Sequence, residues 1–415
     1  MTDDEAFLAA ADDMGSRLCA EAIRHDDRCV WLGDRQNGGS GTRRRFDTVS
    51  LDAGFYSGNA GVGWFLAELA KVSGEAIHRK TAAAALRQSL FQTEERTQLT
   101  AGFYSGEIGV AWALARAGDV LEAEEFVEGA GRVLSEARDK NEPRGNTDVI
   151  AGSAGAIPAL LTMGARTNDD SLTEWAVELG DEMLGRAERS EHGWSWRTVS
   201  DVGPRLTGLA HGAAGFALAF ARLFAATGES RFCQAAKEAM RYERHWYRDD
   251  VKNWPDLRGA VTDATPATTG LKFMRAWCHG APGIALSRMV AAGALPDEEA
   301  GREADVALAT TASSVSDFNR RGVGNFSLCH GAGGNADILL SAGRQLGRSE
   351  LVELARETGA AGWERFGENR PAWPCGFAGE AHTPNLMIGL AGMGLFFLRL
   401  RAGAAIPSAL LPGGE

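Results

Sequence analysis

The sequence lacks several features that would have assigned it to a familiar class of protein. Its six cysteines are too sparse for a disulfide framework in 415 residues. No run of eighteen uncharged apolar residues could span a membrane. The acidic start, MTDDEAFLAAADDMG, has no uninterrupted apolar segment of the kind found in signal peptides. These absences predict a cytoplasmic protein with no membrane span.

Basic charge and strand patterns are also scarce. The chain carries 43 basic and 55 acidic side chains, a formal net charge of −12. No basic stripe is present, which argues against a nucleic-acid partner. Alternation typical of β-strands is weak. Because 44% of the residues are apolar, the chain can bury a sizeable core, either as one large repeat domain or as two ordinary domains.

The sequence does contain a repeat. Seven segments such as YSGNAGVGWFLAELA and CHGAGGNADILL carry G-x-x-G followed by a largely apolar stretch. The first glycines stand at 58, 106, 152, 212, 280, 331 and 389, in steps of 48, 46, 60, 68, 51 and 58 residues. Polar amphipathic stretches lie between the copies, for example over 171–188 and 229–247. Each unit therefore predicts one buried helix and one helix with a polar face.

The terminal copies are as apolar as the middle ones, although an open solenoid would need polar capping repeats. This favours closure into a ring. We predict an all-α protein, an α/α toroid of about seven inner and seven outer helices. Its expected division is an N-terminal helical lead-in (1–50), the toroid (51–402) and a C-terminal tail (403–415). The glycines are expected to let helix starts crowd together at one rim and to form the floor of a site.

Three turns carry metal-ligand residue types just before the first glycine: WCHG with Cys278 and His279, LCHG with Cys329 and His330, and AHG with His211. On a closed ring these positions share a rim. Two thiolates and one imidazole would leave one position open on zinc, as in catalytic sites, and sulfur ligands favour zinc over magnesium or calcium. We take Cys278, Cys329 and His330 as the ligands. His279 then has no role in metal binding, or it contacts a metal ligand or the substrate.

Two further residues have more than one interpretation. Asp148, in NTDVIAGSAG, precedes the third G-x-x-G by four residues. It is either an acid that caps a helix or a turn, or a carboxylate that orients or exchanges a proton with His211. Cys375, in WPCGFAG, lacks the repeat position and is expected to be a buried free thiol.

Together these motifs resemble the lanthionine cyclase (LanC-like) family, and most closely the C-terminal cyclase domain of class II lanthipeptide synthetases. The segments that carry the resemblance are DVIAGSAGAIPALL, LAHGAAGFALAFARL, WCHGAPGIALSRM, SLCHGAGGNADILL and TPNLMIGLAGMGLFFLRL, with NWPDLR as a minor match. The resemblance implies one zinc per chain on Cys278, Cys329 and His330. It also implies His211 as the acid/base residue with Asp148 as its companion. Arg275 stands near the tryptophan-cysteine motif, where related cyclases often have an arginine.

The resemblance further implies a reaction. Cysteine thiols of a precursor peptide would add to dehydroalanine or dehydrobutyrine and form (methyl)lanthionine rings. Because 415 residues leave no room for a dehydratase domain, we expect either a stand-alone cyclase with a separate dehydratase or a domain of a longer synthetase. A non-catalytic zinc- or thiol-binding scaffold is the alternative. A glycosidase would need paired carboxylates at the rim, and terpene chemistry would need Asp-rich motifs; neither pattern is found there.

Overall fold

The computed structural model of the chain describes residues 3–37, 45–96, 100–140, 146–199, 204–259, 270–367, 373–377, 382–402 and 406–414. Over these residues the chain forms fourteen α-helices and three two-stranded antiparallel sheets. The dominance of helices agrees with the 3.6-residue periodicity of the apolar positions.

Seven helices begin directly after the first glycine of a G-x-x-G segment. They are buried on most sides, as their nearly continuous apolar composition predicts. These helices are α2 (Asn59–Ser73), α4 (Glu107–Leu121), α6 (Ser153–Thr167), α8 (Ala213–Thr227), α10 (Ala281–Ala294), α12 (Ala332–Leu346) and α14 (Leu390–Ala402).

The other seven helices keep a polar face exposed. They are α1 (Asp3–Glu21), α3 (Ala76–Glu94), α5 (Glu124–Lys140), α7 (Asp170–Gly185), α9 (Ser230–Trp246), α11 (Glu298–Arg321) and α13 (Ser349–Phe366). Each of α3, α5, α7, α9 and α13 packs on the buried helix that precedes it, and α1 packs on α14. The amphipathic stretches predicted over 171–188 and 229–247 correspond to α7 and α9.

The strands form short hairpins. These are β1 (Ile23–His25) with β2 (Arg28–Val30), β3 (Leu32–Asn37) with β4 (Arg45–Ser50), and β5 (Glu188–Ser190) with β6 (Gly193–Ser195). In the predicted helical lead-in, α1 is therefore the only helix among the described residues, and β1–β4 follow it. The hairpins were not apparent in the sequence because strands of three to six residues are too short to show a clear alternation.

The chain divides into two compact units. One comprises Met1–Leu99, Ser105–Lys140 and Val315–Leu410, and in it α12, α14, α2 and α4 pack side by side in that order. The other comprises Thr100–Tyr104, Asn141–Ser314 and Leu411–Glu415, and in it α6, α8 and α10 pack side by side. Residues 406–414, within the predicted tail, are mostly buried.

The second glycine of the repeat is needed because a backbone carbonyl lies very close to it. In six copies an added Cβ would lie 1.8 to 2.4 Å from the carbonyl oxygen of the residue six positions earlier. The pairs are Gly61 with Phe55, Gly155 with Val149, Gly215 with Leu209, Gly283 with Trp277, Gly334 with Leu328, and Gly392 with Leu386. The turn before each helix thus crosses the helix start, and a side chain would separate the two.

Candidate metal and acid–base site

Backbone hydrogen bonds join the turns that precede the buried helices. The Val149 amide donates to the Ala210 carbonyl and the Ala210 amide to the Cys278 carbonyl, both at 3.1 Å. In the other unit the Cys329 amide donates to the Met387 carbonyl at 2.8 Å, and the Met387 amide to the Tyr56 carbonyl at 3.1 Å. Equivalent turns of different repeats therefore lie next to each other, and the side chains they carry are brought together.

The three predicted metal ligands form a cluster. The ligand atoms of Cys278, Cys329 and His330 all lie within 4.8 Å of one another. Around one tetrahedral zinc, sulfur and imidazole ligand atoms stand roughly 3.3–3.8 Å apart, from Zn–S and Zn–N bonds of about 2.3 and 2.0 Å. Two thiols and one imidazole are donors that suit zinc. The donor set therefore fits this metal and leaves one position for another ligand.

His330 is oriented by a neighbouring loop. Its Nε2 lies 2.6 Å from the Gly376 carbonyl oxygen, so Nε2–H donates to that carbonyl and Nδ1 keeps the lone pair for a metal. An added Cβ on Gly376 would lie 2.7 Å from Cβ of Ile388 and 3.0 Å from Cε1 of His330. Gly376 follows Cys375 in WPCGFAG, and because it has no equivalent in the other repeats, the sequence did not predict it as a site residue.

His211 and Asp148 form a close pair, as one of the two interpretations of Asp148 predicts. Nδ1 of His211 lies 2.6 Å from Oδ2 of Asp148. The other carboxylate oxygen accepts a hydrogen bond of 2.8 Å from the Ala151 amide, so Asp148 also shapes the turn before α6. Asp148 is buried at 5% exposure, whereas the His211 side chain is 27% exposed. The contact engages Nδ1 of the imidazole and leaves Nε2 for other chemistry.

His279, Arg275 and Cys375 have different environments. His279 is buried with its ring centroid 6.0 Å from that of His211, and burial, with nearby Arg258, lowers its pKa to about 4. Arg275 is exposed, and its backbone pairs with Gly280. Cys375 is buried, as expected, and burial raises the pKa of its thiol.

The NWPDLR segment supports the turn that carries Cys278. Oδ1 of Asn253 accepts a hydrogen bond of 2.8 Å from the Ala281 amide at the start of α10, and Nδ2 donates to the Met274 carbonyl at 2.9 Å. Asn253 thereby holds both ends of this turn. Gly280 between them has φ of +92°, which favours glycine.

The chain belongs to the lanthionine synthetase C-like family, whose model matches residues 49–411. Its structure is similar to that of nisin cyclase, with a TM-score of 0.64 and 19% identity over 85% of this chain and 89% of the other. It is also similar to a sugar epimerase from a ruminal bacterium, with a TM-score of 0.50 and 12% identity over 98% and 100% of the two chains. At these identities the likeness establishes the fold, and the predicted α/α toroid is confirmed. No helix among the described residues is long and apolar enough to cross a membrane.

Proposed function

We propose that this protein is a zinc-dependent lanthipeptide cyclase that closes thioether rings in a dehydrated precursor peptide. The observation that carries the proposal is the convergence of Cys278, Cys329 and His330, in a chain of the lanthionine synthetase C-like family. These residues would hold one zinc. A bound zinc supplies a Lewis acid that lowers the pKa of a substrate thiol.

In the proposed reaction the cysteine sulfur of the peptide adds to the β-carbon of dehydroalanine or dehydrobutyrine. One carbon–sulfur bond forms, the double bond is lost, and its electron pair moves toward the α-carbon as an enolate. One proton leaves the thiol and one arrives at the α-carbon, so that the addition is balanced without an oxidant or a nucleotide.

His211 is the proposed donor of the proton to the α-carbon. Asp148 contacts Nδ1 at 2.6 Å, which orients the ring toward the reacting peptide. The partial exposure of the His211 side chain gives a peptide access to the ring. A non-catalytic scaffold would need the sulfur and nitrogen ligands but not this second pair, so the His211–Asp148 contact favours the enzyme.

The proposed partners are the dehydrated precursor peptide and a dehydratase, either separate or fused before this domain, in the cytoplasm. The peptide must carry both a dehydro residue and a free cysteine, because the proposed reaction consumes one of each. A dehydratase is the class of enzyme that supplies the dehydro residue, by removing water from serine or threonine.

The test begins with the metal content of the purified protein beside the Cys329→Ala variant. One zinc per chain in the wild type and loss in the variant are expected. Ring closure is then followed by mass spectrometry after thiol alkylation, with a synthetic peptide that carries one dehydroalanine and one cysteine. His211→Ala should keep its zinc and close rings more slowly or with mixed stereochemistry, whereas exposed His25→Ala should match the wild type. A wild type that binds zinc but ignores dehydrated peptides would favour the scaffold.

A further inference from the structure

Glu243 is an acidic residue with no exposure to solvent, and it lies in α9. Its Oε1 accepts a hydrogen bond of 2.8 Å from the Gly208 amide, and its Oε2 accepts one of 3.0 Å from Arg288. Arg288, in α10, is also fully buried and donates from Nε to Glu303. Burial raises the pKa of Glu243, and the charge of Arg288 opposes this shift. A carboxyl group in this position is expensive to bury.

Gly208 connects this buried pair to the turns of the site. Its φ is +92°, and an added Cβ would lie 3.1 Å from both the Cys278 carbonyl oxygen and Cα of His279. Two residues later, the Ala210 amide donates to the same Cys278 carbonyl. The segment 208–210 therefore packs against the turn that carries Cys278. His211 follows this segment directly in the chain.

A contribution to folding stability is a poor explanation for the burial of an acidic side chain at position 243. A buried ion pair replaced by apolar side chains of similar volume often leaves a protein as stable or makes it more stable. The chain has another ion pair with a buried carboxylate, Glu68 with the partly exposed Arg116, in which Glu68 also accepts from the Trp64 indole. Glu68 accepts from side chains of α2 and α4, whereas Glu243 accepts from the backbone of a turn in the site.

We propose that Glu243 is a positioning residue for the ring-closing reaction. By holding the Gly208 amide it fixes the segment 208–210 against Cys278, and this sets the place of His211 beside Asp148. The inference rests on the proposed function. Arg288 supports Glu243 by donating to Oε2, which leaves Oε1 directed at Gly208.

The first test compares Glu243→Gln with Glu68→Gln, a matched change at the buried carboxylate of the Glu68–Arg116 pair. Glutamine has a single acceptor oxygen, so at position 243 it cannot serve both Gly208 and Arg288. Amide hydrogen exchange, measured by mass spectrometry on peptides that cover 206–211, should be faster in Glu243→Gln and unchanged in Glu68→Gln.

With saturating peptide substrate, the kcat of Glu243→Gln should fall roughly tenfold or more, because small displacements of a reacting group are costly. KM and zinc content should stay as in the wild type.

A double variant, Glu243→Met with Arg288→Met, covers the case in which the single change prevents folding. It preserves volume and removes both buried charges together with the acceptor for Gly208. The same faster exchange and lower kcat are expected. Wild-type exchange and kcat in either folded variant would overturn the proposal. If the wild type closes no rings, the proposed function fails, and the exchange measurement alone then decides whether Glu243 holds the turn.

Discussion

Asp148 uses its two carboxylate oxygens for different purposes. Oδ1 accepts from the Ala151 amide and shapes the turn before α6, and Oδ2 contacts His211. The residue thereby couples the backbone of one repeat to the side chain of the next. Since His211 belongs to a neighbouring turn, a change in Asp148 would affect the imidazole even if the local turn were preserved.

We predict that Asp148→Asn slows ring closure by at least about tenfold. This lower limit is smaller than the roughly 10²- to 10⁴-fold that general acid–base catalysis contributes, because Asp148 acts through His211. Asparagine can still accept from Ala151, but its neutral amide holds Nδ1 of His211 less firmly than the carboxylate does. Initial rates at saturating peptide, with zinc content measured alongside, would test this. Asp52→Asn is the control, because Asp52 accepts a hydrogen bond from the Gly54 amide at 2.7 Å without the contact to His211. Equal rates in the two variants would remove Asp148 from the proposed mechanism.

The repeat explains which site residues could be found from the sequence. A side chain just before a G-x-x-G glycine stands at a fixed place in the fold, so matching repeat positions predicted the cluster of Cys278, Cys329 and His330. Gly376 and Glu243 could not be found in this way. Their roles depend on hydrogen bonds to His330 and Gly208 between distant parts of the chain, and neither residue occupies a repeated position.

At the scale of elements, the repeat glycines determine how each buried helix meets the turn before it. Helix α10 shows this most clearly because it contains two glycines in different surroundings. An added Cβ on Gly283 would lie 2.0 Å from the Trp277 carbonyl oxygen and 2.7 Å from Cβ of Leu209. Around Gly293 there is nothing within 4 Å of an added Cβ. The same substitution should therefore have opposite effects in one helix.

We predict that Gly283→Ala lowers the free energy of unfolding by more than about 2 kcal/mol, because backbone atoms must move to admit the methyl group. Gly293→Ala should raise it by up to about 1 kcal/mol, from the better helix propensity of alanine. Urea unfolding followed by circular dichroism measures both changes. Two variants of equal stability would contradict the close approach of the turn to α10.

Helix α3 contributes a buried histidine that packs against α1. His78 has no exposure, its Nδ1 lies 3.3 Å from Oγ of Ser73, and its ring packs against Gly15 of α1. Burial lowers the pKa of His78, and Asp12 and Glu75 oppose the shift in part. The unfolded chain therefore binds a proton more readily than the folded chain at mildly acidic pH. Folding stability from this group is present above about pH 6.5 and is lost below it.

We accordingly predict that the free energy of unfolding falls less in His78→Gln than in the wild type when the pH is lowered from about 7 to about 5. His25→Gln, at an exposed histidine, should follow the wild type. Urea titrations at the two pH values measure the difference. Parallel losses in all three proteins would show that His78 does not titrate differently on folding.

For the whole molecule, the sequence predicts the α/α class because the repeat is self-similar over its length. Apolar helix starts at both terminal copies argue for a closed ring, and the likeness to nisin cyclase confirms that architecture. The hairpins in 23–50 and 188–195 were not predicted, since they lie outside the repeat and their strands are too short for a periodic signal. The repeat thus predicts the buried and amphipathic helices that its copies share. The hairpins between copies have no repeat pattern and became apparent only in the structure.

The proposed zinc ligands include residues that are far apart in sequence, because Cys278 and Cys329 are 51 residues apart. A ligand that binds only the folded state stabilises it by about 4 kcal/mol at a thousand times its Kd. We therefore predict that zinc raises the Tm of the metal-free wild type and that a chelator reverses the rise. Cys278→Ser should respond much less, whereas Cys233→Ser, at a half-buried thiol of α9, should respond fully. If zinc raised the Tm of Cys278→Ser as much as that of the wild type, the metal would bind elsewhere. The proposed ligand set would then be wrong, even if the enzyme closed rings.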